Sequence, residues 1–167
     1  LIYVKRTPKS VGVELALRWR RAGEMTASFL PGSQELFHIW PPPSVPAGAG
    51  VYRLTISVDS RSMVYIGEGA CLAARVRYYT RRHNTKRKTT QTLFSEEIRT
   101  ALNEHRKVVV DVATTGTINI TGFERRLIME HVSDRRFAEA AAVMNEWERD
   151  KDGLIEIWNR VLDDQKW

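Results

Sequence analysis

One cysteine, Cys71, stands among 167 residues, so an internal disulfide and any cysteine-based zinc cluster are excluded and a reducing compartment is expected. No apolar run nears the roughly 18 residues of a membrane span, and no charged-then-apolar leader is visible. A soluble, cytoplasmic protein without a membrane partner is the expectation. Leu1 stands where a methionine usually begins a chain, which leaves room for a trimmed or longer parent. Acidic residues are missing altogether from Gly69 to Ser95, where seven basic ones stand.

What is present suits one ordinary domain, 43% hydrophobic and 28% charged. The net charge of +6 is unevenly spread. Residues 1–48 carry 6 basic and 3 acidic groups, 49–109 carry 12 and 5, and 110–167 carry 8 and 12. A basic middle beside an acidic end points to a polyanionic partner for the middle, although basic surfaces are common on soluble proteins.

Residues 1–48 read as an N-terminal arm, with Val11 to Arg21 a helix or arm, ending in the linker Pro41-Pro42-Pro43-Ser44-Val45-Pro46; proline there forbids a continuing helix or central strand. The main domain is expected over 49–150, with a C-terminal helix over 151–167. Val51 to Ile56 alternates β-branched and aromatic residues and predicts a strand, broken at Asp59 to Arg61. Met63 to Ile66 is its hairpin return, and Val108 to Ala113 a third strand. Helices are predicted over Leu72 to Thr80, Ser95 to Glu104, Phe123 to Val132, Ala138 to Arg149 and Leu154 to Leu162.

Four pieces recur in a telling order: Gly50-Val51-Tyr52, Val64-Tyr65-Ile66-Gly67, Leu72-Ala73-Ala74-Arg75, and Glu124 with Leu127 and Ile128 three and four residues on. Twelve residues separate the two tyrosines, and Arg75 lies eight beyond Gly67. This set resembles the GIY-YIG nuclease family over about 100 residues, with Val51 in place of the usual isoleucine. The resemblance implies an α+β fold, a small three-stranded antiparallel sheet flanked by helices. It also implies hydrolysis of DNA phosphodiester bonds with Mg²⁺ or Mn²⁺.

Under that resemblance Glu124 is the metal ligand, with Glu130 its rival. Arg75 neutralises phosphate charge, Tyr52 takes a proton from water and Tyr65 orients water or phosphate. Unperturbed tyrosine titrates near 10, so either Tyr52 or metal-bound water can be the base. Tyr79 stands where several members carry histidine, and Asn145, 21 residues past Glu124, is matched to the family's asparagine. Each residue also has an ordinary reading: strand tyrosines pack, helical arginines are solvated, and first-turn glutamates suit the helix dipole.

Arg77, Arg81, Arg82, His83, Lys86, Arg87 and Lys88, interleaved with Tyr78 and Tyr79, form the expected DNA track. The proline-rich approach to Tyr52 is similar to that of restriction endonucleases in the family. Cutting two strands from one site per chain implies a homodimer or sequential nicking. Repair or homing nucleases, and a DNA-binding module that does not cut, are the alternatives.

Overall fold

The computed structural model describes residues 13–33, 36–82 and 89–159. In chain order its elements are β1 (Val13–Leu17), β2 (Arg20–Glu24), β3 (Thr26–Phe29), β4 (Leu36–Trp40), β5 (Gly50–Val58), β6 (Arg61–Gly69), α1 (Leu72–Tyr78), α2 (Thr90–Asn103), β7 (Val108–Ala113), β8 (Gly116–Ile120), β9 (Phe123–Arg126), α3 (Val132–Arg149) and β10 (Ile155–Ile157).

The fold is α+β, but in place of the expected single small three-stranded sheet the described residues form sheets of five, three and two strands. Strands β6, β5 and β7 pair antiparallel in that order, and β10 and β2 extend them to five. A three-stranded sheet β1-β8-β9 and a hairpin β3-β4 complete the set. Three expectations are corrected here. Of the Val11 to Arg21 stretch the described part, from Val13, forms strands β1 and β2 instead of a helix, and β2 pairs with β7 (Arg20 opposite Val112), so the arm adds a strand to the main sheet. Phe123–Arg126 is a strand because Thr121 and Gly122, both at positive φ (52° and 87°), make a two-residue hairpin turn closed by Ile120 opposite Phe123. Ile155–Ile157 is a strand parallel to β6; Asp150 Oδ1 accepts from the amides of Leu154 and Ile155 and turns the chain out of α3. The remainder of that expected helix, from residue 160, lies outside the described residues.

Helix α2 starts earlier than Ser95. The side chains of Thr89 and Thr92 accept from each other's backbone amides, a reciprocal cap (2.8 and 3.3 Å) that satisfies orphan donors. Ser95 lies inside the helix and donates back to the Gln91 carbonyl at 2.9 Å.

Strand alternation divides the core in two. Tyr52, Leu54 and Ile56 face α1, α2 and the arm, packing on Leu72, Val76, Phe94, Ile98 and Ile39. Val51, Val64 and Ile66 face α3, whose Ala138, Ala142 and Val143 form its apolar stripe.

Candidate active site

The register sets Tyr52 opposite Gly67 and Leu54 opposite Tyr65, so both tyrosines rise on one face of the β5-β6 hairpin. A Cβ at position 67 would overlap the ring and hydroxyl of Tyr52, which explains glycine there: the ring lies across the neighbouring strand. Tyr79, one turn beyond Arg75 on α1, closes the group. Ring centroids are 5.9 Å apart for Tyr52 and Tyr79, and 5.6 Å for Tyr65 and Tyr79, with Phe94 at 5.3 Å from Tyr65. The hydroxyls of Tyr52 and Tyr79 share a buried hydrogen bond of 2.8 Å.

Burial pushes the Tyr52 hydroxyl far up, and the neighbouring Tyr65 adds to this; the bond to Tyr79 and the charge of Arg75 oppose it. Tyr65 and Tyr79 are raised for the same first reason. All three are therefore neutral hydroxyls at physiological pH. Arg75 is half-buried, its stem over Gly69 and its guanidinium within hydrogen-bonding reach of Tyr52. Burial works to lower its pKa, but Tyr52, Tyr79 and Tyr65 together leave it raised.

The sequence-matched glutamate is elsewhere. Glu124 sits exposed on β9, opposite Asn119 in the β1-β8-β9 sheet, and is not among the charges that shift Tyr52, Tyr65 or Arg75. Glu130 is exposed in the turn before α3. The acid that acts on the tyrosines is Glu139, half-buried on α3, whose charge raises Tyr52 and Tyr65. Its own carboxyl is pushed up to about 7, first by desolvation and then by Glu68, with Arg75 and Arg136 only partly compensating. Glu68, next to Gly67, accepts from Arg135 Nε at 2.6 Å.

Sequence reasoning missed Glu139 because it asked for leucine and isoleucine three and four residues on. Here those positions are Ala142 and Val143, smaller but equally buried. It also missed Asn159, whose amide donates to the Ile66 carbonyl (2.5 Å) and whose oxygen accepts from the Ile66 amide (2.8 Å), pinning the strand between Tyr65 and Gly67. Asn145 is exposed on the far side of α3, beside β1. Of the expected DNA track, Arg77, Arg81 and Arg82 are exposed at the end of α1; His83, Lys86, Arg87 and Lys88 lie outside the described residues.

Glu139 could supply one oxygen ligand to a hard divalent cation. A half-buried carboxylate whose ionisation is resisted by burial and by a second carboxylate gains from a cation beside it. Among the described residues no group of three or more His, Cys, Asp or Glu can form a full cage, so such an ion would take the rest of its shell from water and phosphate. No described helix is long and apolar enough to cross a membrane. Compared with family models, curated proteins and solved structures, the chain matches none.

Proposed function

We propose that the chain is a GIY-YIG-like, Mg²⁺- or Mn²⁺-dependent DNA endonuclease of restriction type, with Tyr52, Tyr65, Arg75, Tyr79 and Glu139 at its site. The observation that carries this reading is the convergence at one end of the β5-β6 hairpin. Three neutral hydroxyls and a guanidinium meet a carboxylate held near pKa 7. Phosphodiester hydrolysis needs charge neutralised on the phosphate, a positioned water and a route for its proton.

Arg75 supplies a fixed positive charge and forked donors to the non-bridging oxygens. Tyr65 orients water or phosphate from the sheet face. Glu139 holds the cation, in place of Glu124. When bound there, the cation supplies positive charge beside the phosphate and cancels the carboxylate's upward push on Tyr52. Tyr79 and Arg75 are the two groups that already favour the Tyr52 phenolate, so Tyr52 accepts the water's proton only while both remain in contact. Full burial of Tyr52 favours a second reading, a DNA-binding module that keeps the fold and does not cut. A homodimer, each copy cutting one strand, fits the restriction reading.

Incubating supercoiled plasmid and long linear DNA with purified protein, in Mg²⁺ or in EDTA, separates these. Discrete Mg²⁺-dependent fragments that Tyr52→Phe abolishes support the restriction enzyme. Nicking or smearing selects a repair or homing type, and binding without cleavage under any divalent ion selects the module.

A further inference from the structure

Helix α1 has three working faces. Leu72 and Val76, with Tyr79 at its C-terminal cap, enter the core, Arg75 joins the tyrosines, and Ala73 and Arg77, followed by Thr80 and Arg81 of the next turn, line a separate groove of about 780 Å³. The opposite wall is β4 and the proline run that follows it, Pro41 to Pro43. There His38 and Trp40 form a ring pair, centroids 4.5 Å apart, and Trp40 stays 46% exposed. Arg82 and Arg99 add two more guanidinium groups, and among the described residues none that lines the groove is acidic. Among the described residues neither Arg77 nor Arg81 pairs with an acid. Arg99 is fixed by donating to the Thr80 carbonyl at 2.8 Å, and desolvation, with the like charge of Arg82, holds it below its ordinary range.

Crowded guanidinium groups facing exposed aromatic rings meet the two needs of a nucleic-acid strand, phosphate charge and a flat base face. The bases of an intact duplex are stacked on each other and offer no face to an indole. Only a single strand, or a base drawn out of the stack, can use both walls together. Two residues apart, Arg75 and Arg77 project from nearly opposite sides of α1, so a strand leaving the groove crosses about one helix diameter, roughly 10 Å, to reach Arg75 beside the tyrosines.

We infer that this groove takes a single DNA strand, its phosphates on Arg77, Arg81 and Arg99 and an unstacked base against Trp40. The substrate class is therefore DNA with a single-stranded or opened segment beside the cut. This rests on the DNA reading above, and its test is a binding measurement that needs no cleavage. In EDTA, fluorescence anisotropy follows a labelled oligothymidylate of about 12 nucleotides, within the usual site size, and a blunt hairpin duplex.

Trp40→Ala weakens the single strand roughly 5- to 100-fold and leaves the duplex within about twofold. Trp40→Phe keeps a ring and restores most of the affinity, which sets stacking apart from misfolding. Arg81→Ala lowers the salt dependence of single-strand binding by about 0.7 in the log–log slope. Equal losses on both substrates, no loss with Trp40→Ala, or competition by polyglutamate as effective as by oligonucleotide would overturn the inference. Trp40-dependent single-strand binding without any cleavage supports the groove and removes the nuclease. Cleavage with single-strand affinity indifferent to Trp40 does the reverse.

Discussion

The two faces of the main sheet bury polar groups in opposite ways. On the α3 face, Arg53 in the middle of central strand β5 meets Asp111 at 3.1 Å, Glu146 at 2.6 Å and the ring of Trp19 at 5.0 Å. Each of these three charges has a close partner of the opposite sign. On the α1 face the buried polar groups are neutral hydroxyls with Arg75 at their margin, and Glu139 of α3, which acts on Tyr52 and Tyr65, is compensated only in part. Charges fully paired within the protein fix a scaffold. Charges left short of a partner are available to a phosphate and a cation.

The sharpest break in that comparison is Glu139→Gln, which keeps the shape and removes the charge. Steady-state cleavage is expected to fall on the order of 1,000-fold while urea denaturation at pH 8 stays unchanged or shifts to higher urea. Its mirror image is Glu146→Ala on the scaffold face, which strands Arg53 beside one acid. A loss of about 3 kcal/mol in folding stability is expected from urea titration, with cleavage retained where the variant is folded.

Tyr79→Phe sharpens the account of the hydroxyl face. Losing the 2.8 Å bond removes one of the two groups that lower Tyr52, so cleavage drops roughly 5- to 100-fold and the rising limb of the pH–rate profile moves to higher pH. The smallest effect is the pH dependence of stability contributed by Glu139. Its carboxyl titrates near 7 when folded against 4.5 ordinarily, so the folded state binds the extra proton between those values. This contribution is full below about 4.5 and is lost as pH rises through about 7. Glu139→Gln flattens that slope in denaturation series across the window. Asp134, held at about 2 by its bidentate bond from Arg125 and the Ile128 amide, has the opposite sign: its contribution is present above 3.8 and lost as pH falls.

Local pattern made the β5-β6 hairpin legible. Alternation in Val51 to Ile56 and the Asp59-Ser60 break give β5 and β6, and the spacing of Tyr52, Tyr65 and Arg75 brings them together as read. What failed depended on partners remote in sequence. Val13 to Arg21 looks apolar and basic, and only pairing of Val13–Leu17 with Gly116–Ile120 and of Arg20–Glu24 with Val108–Ala113 makes strands of it. Phe123 to Val132 has helical spacing, yet the Thr121-Gly122 turn commits it to a hairpin. Glu124, matched for the leucine and isoleucine three and four residues on, therefore stands on a strand of the β1-β8-β9 sheet. Glu139 was hidden in an alanine-rich stretch, where small neighbours do not advertise a packed face. Ile155-Glu156-Ile157 alternates with period two, but three residues are too few to outweigh the helical spacing around them.

The account turns on which acid serves the site, so the most direct measurement compares Glu139→Gln with Glu124→Gln in one cleavage assay, on the same plasmid and over a Mg²⁺ titration. The expected result is cleavage by Glu124→Gln at close to the unmodified rate and none by Glu139→Gln at any Mg²⁺ concentration. Loss of cleavage in Glu124→Gln with Glu139→Gln still active contradicts it.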